Sequence, residues 1–250
     1  MSISTVAVIT GASKGLGEAL ALGLINPATH IVVLSRNRNE TLAAQAIKAS
    51  CVVQQIQIDL ANPAQVENHA ARIMAGLPTT ARRYLLINNA GTLDPVGLAE
   101  NLTSPTSIMA AFSLNVAAAM VLTASFLQAS KAFDADCRVL NISSGAGRNP
   151  TAGWGVYCAT KAALDRYTQV LNTEQKKVRV VALAPGVVDT GMQEHIRASD
   201  PDQFPDLPRF VGMHKKGQLT SPTAIATRIL TYLNRDDFGT IVLDDIRNYA

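Results

Sequence analysis

The sequence predicts a doubly wound α/β fold, in which helices cover both faces of a mostly parallel sheet of about seven strands. Short apolar runs rich in β-branched residues alternate with helical stretches along the chain. These runs are continuously apolar, which is typical of parallel strands buried on both faces. Hydrophobic residues make up 48% of the 250 residues and charged residues 16%, a composition that excludes intrinsic disorder. We therefore expect a single domain over residues 1–250.

Each element is predicted from a local pattern. Strands are predicted at the apolar runs 6–9, 31–34, 52–58, 85–87, 139–142, 178–183 and 241–243. Helices are predicted at 15–24 and 41–50, from residue 63, within 101–130, and at 157–172 and 222–233. Pro63 suits the first turn of its helix. Right-handed crossovers then place these helices on both faces of the sheet.

Composition narrows the class of function. The net charge of +3 is too small to predict binding to nucleic acid or to a membrane surface. The three cysteines are far apart and form no CxxC pair, which favours a reducing, cytoplasmic compartment without disulfides or a zinc site. The N-terminus has no basic segment before its apolar run, so we expect no signal peptide.

Residues 101–130 contain no charged residue and no histidine. The apolar part of this stretch is short for a transmembrane helix and is interrupted by Pro105, Asn115 and many small polar residues. We interpret it as a helix buried within a soluble protein or at a subunit interface. A membrane helix is the less favoured alternative.

Residues 185–221 form the least regular part of the sequence, with Pro201, Pro205, Pro208 and the paired lysines Lys215 and Lys216. A long irregular segment in a compact domain is often a lid or a binding loop. We predict a substrate loop at about 187–220. A disordered surface insertion is the alternative.

A glycine cluster, Thr10–Gly17, follows the first predicted strand and opens the first helix. Glycine allows the backbone to turn tightly and approach a ligand, and a helix N-terminus offers free N–H groups to a pyrophosphate. The spacing is G-x-x-x-G-x-G, which differs from the common G-x-G-x-x-G fingerprint. Its place at the first strand–helix junction favours a dinucleotide-binding loop over an ordinary sharp turn.

The end of the second strand predicts which dinucleotide binds. An acidic residue there would bind the ribose hydroxyl of NAD, but the sequence has Arg36 and no carboxylate before Glu40. Arg36 can hold a 2′-phosphate with its planar fork of donors, and Lys14 in the glycine loop adds a second cation. NADPH is therefore favoured over NADH. The alternative is that both are solvated surface cations.

Three residues form the candidate catalytic group. Tyr157 and Lys161 are four apart at the start of a predicted helix and share one face. Ser144 follows the fifth strand. In an open parallel sheet, ligands bind beyond the carboxyl ends of the strands, where these residues and the glycine loop meet.

With these motifs in order, the sequence resembles the short-chain dehydrogenase/reductase family over essentially its whole length, which implies a Rossmann-type fold. Further motifs of that family are Asp59-Leu60, Asn88-Asn89-Ala90-Gly91, Asn115, Pro185-Gly186 and Thr190. The resemblance implies that Tyr157 donates a proton, that Lys161 and the oxidised nicotinamide lower the pKa of Tyr157, and that Ser144 binds the carbonyl oxygen. It further implies that Asn115 bends its helix and holds a relay water. The alternative is that Asn115 is a polar residue of the helix interior whose side chain is hydrogen-bonded to the backbone.

The resemblance also implies the cofactor contacts. These residues are Gly11, Ser13, Lys14, Gly15, Leu16, Gly17, Arg36, Asp59, Leu60, Asn88, Ala90, Gly91, Tyr157, Lys161, Pro185, Gly186, Val188, Thr190 and Met192. Asp59 and Leu60 would contact the adenine, and Thr190 would fix the carboxamide. No metal is implied.

A narrower resemblance is to the sepiapterin reductases and the microbial benzil reductases. It lies in Gly153-Trp154 and in residues 184–193. Trp154 is either a stacking wall for a flat substrate or a packing anchor. Sepiapterin reductases hold the pterin with an aspartate near the C-terminus, which Asp244 or Asp245 would match. The implied substrate contacts are Ser144, Trp154, Tyr157, Gly186 and Met192.

We therefore predict an NADPH-dependent carbonyl reductase acting on a small diketone or on the side-chain ketone of a pterin. The alternatives are a 3-ketoacyl carrier-protein reductase and a non-enzymatic NADPH-binding sensor. The family further implies a homodimer formed through the helices that carry Asn115 and Tyr157, with no nucleic acid and no membrane as partner.

Overall fold

In the computed structural model, which describes residues 2–249, seven strands form one sheet in which all neighbouring strands are parallel. The strands are β1 (Thr5–Thr10), β2 (Thr29–Ser35), β3 (Val52–Gln57), β4 (Arg83–Asn88), β5 (Asp136–Ile142), β6 (Val178–Ala184) and β7 (Leu243–Asp245). Their order across the sheet is β3-β2-β1-β4-β5-β6-β7. The order reverses between β1 and β4, and a crevice opens there at the carboxyl ends of the strands.

The helices of residues 2–249 are α1 (Gly15–Gly23), α2 (Glu40–Lys48), α3 (Pro63–Ala75), α4 (Pro105–Phe112), α5 (Ala118–Ser130), α6 (Gly155–Glu174), α7 (Gly191–Arg197), α8 (Leu207–Lys215) and α9 (Pro222–Leu233). Successive strand side chains alternate between the faces of the sheet. Ala7 and Ile9 of β1 pack in the core with α1, α2 and α9, whereas Val6 and Val8 pack with α3, α5 and α6. Both faces are therefore covered, and the predicted doubly wound fold is confirmed.

The uncharged segment forms one continuous helical stretch, Pro105–Ser130, in which a π-helical turn (Ser113–Ala117) joins α4 to α5. It is long and apolar enough to cross a membrane by length and composition, and 44% of its apolar window is buried inside the protein. Leu122 and Phe126 of α5 lie in the core against the sheet. This packing agrees with the predicted buried helix.

The prediction of an irregular segment at 185–221 is wrong in part, because α7 and α8 lie within it. Pro208 occupies the first turn of α8, where proline is compatible with a helix and does not break it. The division of the uncharged helix into α4 and α5, together with α7 and α8, gives nine α-helices within residues 2–249 where six were predicted.

The last strand lies two residues beyond its predicted position. The apolar run 241–243 predicted the strand, but the paired residues are Leu243–Asp245. Asp244 is 1% exposed, and its carboxylate accepts hydrogen bonds from the hydroxyls of Tyr232 at 3.0 Å and Tyr249 at 2.5 Å. A buried strand can contain a charged residue when such partners satisfy it.

Charged side chains bind together at the opposite, amino-terminal edge of the sheet. The carboxylate of Asp136 pairs with Arg83 at 3.0 Å, Arg138 at 2.7 Å and Arg179 at 2.6 Å, and these residues belong to β4, β5 and β6. Burial alone would raise the pKa of Asp136, but hydrogen bonds and charge from Arg179 and Arg138 outweigh it and lower that pKa. Arg138 also donates to the carbonyls of Leu233 and Arg235 at the end of α9. The cluster thus fastens three strands to one helix.

Candidate active site

A cavity of about 670 Å³ opens at the carboxyl ends of the strands and holds both predicted parts of the site. The predicted residues that line it are Gly11, Ser13, Lys14, Gly15, Leu16, Arg36, Asp59, Leu60, Ala90, Gly91, Ser144, Trp154, Tyr157, Lys161, Pro185, Gly186, Val188, Thr190 and Met192. The glycine loop and the candidate catalytic residues therefore face the same space.

The glycine loop has the close backbone packing that its sequence predicts. Gly11 has a φ of +70°, which lies in the left-handed region that favours glycine. A Cβ on Gly17 would collide with the carbonyl oxygen of Gly11 and with the side chain of Asn89. Gly17 does not itself line the cavity but lets α1 begin directly beneath the loop.

The N-terminus of α1 is available to an anion. Lys14 precedes the helix, and no side chain caps the free N–H groups of the first turn. Asn39 braces the loop from behind, since its amide nitrogen donates to Glu18 at 2.7 Å and to the carbonyl of Ser13 at 3.3 Å. A glycine cradle beneath an uncapped helix N-terminus fits the pyrophosphate of a dinucleotide.

Arg36 stands at the end of β2, exposed and on the cavity wall. The preceding Ser35 turns the chain by donating from its hydroxyl to the carbonyl of Asn37 at 2.8 Å. Glu40, the next acidic residue along the chain, begins α2 and does not line the cavity. The end of β2 thus offers a cation and no carboxylate to the dinucleotide.

Tyr157 and Lys161 lie on the buried face of α6, and Lys161 is 4% exposed. The Lys161 Nζ lies 5.7 Å from the centroid of the Tyr157 ring and donates to the carbonyl of Ile142 at 2.8 Å. Burial lowers the pKa of Lys161 to about 8, and the charge of Asp165 opposes this shift. Lys161 can therefore change its protonation state near physiological pH.

The expected lowering of the Tyr157 pKa is not found in the protein alone. Burial raises the pKa of Tyr157, and a hydrogen bond with Ser144 only partly offsets that rise. Burial disfavours the phenolate because it removes the hydration of a negative charge. A lower pKa therefore requires a further positive charge in the cavity.

Ser144 is positioned by a short 3₁₀ turn, Gly145–Gly147, that packs on α6. Ser144 caps this turn by accepting a hydrogen bond from the N–H of Ala146 at 3.2 Å. A Cβ on Gly147 would lie 2.8 Å from the carbonyl carbon of Lys161, so the turn contacts the helix backbone directly. This contact fixes Ser144 beside Tyr157.

Asn115 lies in the π-helical turn, so the predicted local distortion of its helix is present. Its side chain accepts a hydrogen bond from the N–H of Thr92 at 2.8 Å, and donates to the Thr92 carbonyl at 2.9 Å and to Thr160 at 3.0 Å. Asn115 does not line the cavity. Its side chain ties the β4 loop to α6, which agrees with the backbone-bonded alternative, and the relay role stays a prediction.

Asn88 is not brought to the cavity. It is 5% exposed, and its amide donates to Asn141 at 2.8 Å and Thr123 at 3.1 Å within the protein interior. The next residue, Asn89, lines the cavity in its place and donates to the carbonyl of Thr10 at 2.9 Å. Asn88 is the last residue of β4 and Asn89 is the first residue beyond it, so the two adjacent side chains point in different directions.

Trp154 is a packing anchor that also lines the cavity, and its role as a stacking wall for a substrate stays a prediction. Its ring stacks on Phe204 with centroids 5.0 Å apart and contacts Tyr157 edge-on at 5.6 Å, and it lines the cavity. Phe210 of α8 lies 5.2 Å from the same ring. Sequence reasoning missed Phe204 and Phe210 because they belong to the segment that was predicted to be irregular.

The two C-terminal aspartates differ in position. Asp244 points into the interior toward Tyr232 and Tyr249, whereas Asp245 lines the cavity. The Asp245 carboxylate is already bound by Arg247, whose Nε and Nη2 donate at 2.8 and 2.5 Å. The carboxylate that reaches the cavity is thus neutralised by a guanidinium of the same chain.

Several other residues of the cavity wall were not predicted. They include Leu93, Asn149, Thr151, Ile196, Arg209 and Phe210, together with Arg247. Most of these lie in loops or on α7 and α8, where no periodic pattern marks them. Residues 2–249 contain no group of three or more His, Cys, Asp or Glu side chains that could hold a metal ion.

With this geometry in place, comparison with known proteins identifies the class. Residues 5–201 match the family model described as short chain dehydrogenase, so the chain belongs to the short-chain dehydrogenase family. The predicted resemblance is confirmed.

More specific likenesses lie within that family. The chain is 38% identical over 238 residues to benzil reductase ((S)-benzoin forming) of Bacillus cereus. The aligned region covers 92% of this chain and 94% of that relative. It is 35% identical over 246 residues to sepiapterin reductase of Rattus norvegicus, covering 93% and 92%. A solved Beutenbergia cavernae structure with bound NADP has a TM-score of 0.81 at 25% identity and covers 98% of this chain and 96% of that chain.

Proposed function

We propose that this protein is an NADPH-dependent carbonyl reductase of small aromatic diketones of the benzil type. The observation that carries this proposal is the single cavity that joins the glycine loop to Ser144, Tyr157 and Lys161. A reductase needs this arrangement, because cofactor and carbonyl compound must meet beside a proton donor. The likeness to a benzil reductase over nearly the whole chain supports the substrate class.

The cations at the adenosine end support NADPH. Lys14 and Arg36 both line the cavity, and the end of β2 offers no carboxylate that would repel a 2′-phosphate. The glycine loop and the N-terminus of α1 would hold the pyrophosphate. When bound, the nicotinamide supplies a hydride to the carbonyl carbon.

The side chains would supply the remaining chemistry. Ser144 would donate a hydrogen bond to the carbonyl oxygen, where negative charge develops. Tyr157 would give that oxygen its proton. Lys161, buried beside the phenol, would stabilise the phenolate that remains and so favour the transfer.

The walls of the cavity favour a flat, uncharged substrate. Trp154, Phe210 and Leu93 present aromatic and aliphatic surface above Tyr157. A pterin offers adjacent N–H donors that a free carboxylate would recognise, but Asp245 already holds Arg247. We therefore favour diketones over sepiapterin.

The proposal is tested by following NADPH oxidation with benzil and with sepiapterin. We expect rapid turnover of benzil and slow turnover of sepiapterin. Arg247→Ser should raise kcat/KM for sepiapterin about tenfold by freeing Asp245, while the control Arg209→Ser should not. Turnover of 3-ketoacyl carrier-protein thioesters alone, or NADPH binding without turnover of any ketone, would instead support the alternatives.

The role of the phenol has its own test. Tyr157→Phe should abolish turnover and leave NADPH affinity within about twofold, because the ring and its packing are kept. Fluorescence titration with NADPH measures the affinity. Retained turnover would contradict the assignment of Tyr157 as proton donor.

We further propose a homodimer. Met109 of α4, Val121 of α5 and Val170 of α6 are 62%, 39% and 43% exposed, which is unusual for large apolar side chains on neighbouring helices. A second copy of the chain would cover them.

We also propose the cytoplasm as the compartment of this protein, because the three cysteines are free.

A further inference from the structure

A buried carboxylate lies one helical turn beyond Lys161, outside the set of residues that line the cavity. Asp165 is 4% exposed and belongs to α6. Residues four apart on a helix lie on the same face, so Asp165 and Lys161 share the buried face of α6. A buried charge of this kind calls for an explanation, because desolvation makes it costly.

Two other side chains hold this carboxylate. The Ser143 hydroxyl donates to Asp165 Oδ1 at 2.5 Å, and Arg148 Nε donates to Oδ2 at 3.0 Å. Arg148 is itself fixed by the carbonyls of Asp244 at 3.1 Å and Ala182 at 3.2 Å. Both oxygens of Asp165 therefore have partners from the segment that follows β5.

These partners keep Asp165 from pairing directly with Lys161. No ion pair within 4.0 Å joins the two among residues 2–249. The Lys161 Nζ instead donates to the carbonyl of Ile142 and faces Tyr157. The charge of Asp165 acts on Lys161 through space without drawing its ammonium away from the phenol.

The charged and titratable groups around Lys161 are few. Helix α6 itself contributes Tyr157 and Asp165. The segment after β5 contributes Arg148, which binds Asp165. The π-helical turn and the β4 loop present the neutral groups of Asn115 and Gly91. Asp165 is thus the anion that opposes the effect of burial on Lys161.

We propose that Asp165 is a positioning residue that keeps Lys161 in its ammonium form at neutral pH, and that Ser143 and Arg148 hold Asp165 for this purpose. This inference rests on the proposed function, in which Tyr157 donates the proton. No step in the reaction passes through Asp165. Its effect is exerted on the protonation of Lys161 alone.

The pH profile tests this role. Because the pKa of Lys161 is lowered to about 8 and that of Tyr157 is raised, Lys161 loses its proton first, and the alkaline limb of kcat/KM for benzil reduction reports it. Asp165→Asn should move this limb down by about one pH unit and leave the rate at pH 6 within about twofold. Arg148→Gln keeps the carboxylate and removes a cation, so it should move the limb to higher pH.

Thr168→Val is the matched control. Thr168 is a buried polar residue of α6 that accepts a hydrogen bond from Asn141 at 2.8 Å, and its removal changes no charge. It should lower the Tm and leave the alkaline limb unmoved. Coincident limbs for Asp165→Asn and the wild type, or an equal shift with Thr168→Val, would overturn the inference.

A second measurement needs no substrate. In the NADP⁺ complex, the ultraviolet difference absorbance of the Tyr157 phenolate, referenced to Tyr157→Phe, should appear at higher pH in Asp165→Asn than in the wild type. If the wild type reduces no carbonyl compound, the proposed function fails while this titration still decides the role of Asp165. If Asp165→Asn does not fold, Arg148→Gln decides the role of Asp165 instead. The alkaline limb of kcat/KM should move to higher pH in this variant, and a limb that stays in place or moves to lower pH would overturn the inference.

Discussion

At the scale of single residues, Arg36 has a counterpart that isolates its role. Arg36 and Arg38 are both exposed after β2, but only Arg36 lines the cavity. A charged hydrogen bond to the 2′-phosphate contributes about 1–3 kcal/mol to affinity.

Arg36→Asp should therefore reduce the preference for NADPH over NADH by about 1–3 kcal/mol, measured as the ratio of kcat/KM for the two cofactors. Arg38→Asp makes the same change of charge two residues away and should alter that ratio by much less. Equal effects of the two variants would mean that Arg36 acts through net charge alone.

The adjacent asparagines show what single residues reveal before the structure is known. The motif around Asn88 and Asn89 predicted a contact with the dinucleotide, and the structure brings the second asparagine, not the first, to the cavity. The motif alone could not assign the side chains, because one residue of error in a strand reverses which face they occupy.

At the scale of elements, α7 and α8 form a lid over the end of the cavity that holds Trp154 and Tyr157. Phe204, between these helices, is fully buried and stacks on Trp154. Gln203 beside it accepts a hydrogen bond from Asn101 at 2.8 Å, and His195 of α7 contacts Asp94 at 2.7 Å. These contacts dock the lid on the β4–α4 loop.

Phe204→Ala should loosen the lid and raise the KM for benzil at least tenfold, with little change in the Kd for NADPH, because Phe204 packs on Trp154 and not on the glycine loop. Loss of a buried aromatic ring costs about 3–5 kcal/mol. Phe133→Ala is the control. The Phe133 ring stacks on Tyr84 with centroids 3.8 Å apart, and neither residue lines the cavity. A raised KM in the control would show that general destabilisation explains the effect.

Elements with a strong apolar period were predicted well, and the exceptions have physical causes. The continuous runs of β1, β2, β4, β5 and β6 predicted their strands because both faces of the sheet are buried. The lid helices were missed, since α7 has only seven residues and the prolines nearby are typical of loops. The position of β7 was missed because Asp244 is satisfied by two tyrosines that lie elsewhere in the sequence.

At the scale of the whole molecule, the buried thiol of Cys137 should weaken the fold at alkaline pH, while the lowered pKa of Lys161 acts in the opposite direction. Burial, followed by the charge of Asp136, raises the pKa of Cys137 to about 11 from 9.0. Between these values the unfolded chain loses the thiol proton and the folded protein keeps it, so the unfolded state binds fewer protons and stability falls as pH rises. Burial raises the pKa of Tyr167 as well, which acts in the same direction.

Each pKa unit corresponds to 1.36 kcal/mol, so Cys137 alone should lower the free energy of unfolding by about 2–3 kcal/mol between roughly pH 9 and pH 11. Urea unfolding across this range measures the effect. Because Lys161 contributes equally to both proteins, the wild type should lose about 2–3 kcal/mol more stability across this range than Cys137→Ala. Parallel curves for the two proteins would contradict the assignment.

The proposed dimer belongs to the same scale. Val170→Asp places a charge at one of the exposed apolar residues of α4, α5 and α6, so it should convert a dimer to a monomer in light scattering. Ile47→Asp, at an 80% exposed apolar residue of α2, should leave the assembly unchanged. A monomeric wild type would refute the proposed dimer.

The arginine cluster around Asp136 has a practical consequence for engineering. It lies at the amino-terminal edge of the sheet, whereas the cavity lies at the carboxyl-terminal edge. Heat tolerance and substrate selectivity can therefore be evolved in separate libraries. One would vary the surroundings of Arg83 and Arg179 and the other the lid, and improvements from each should combine additively because the sites share no partner.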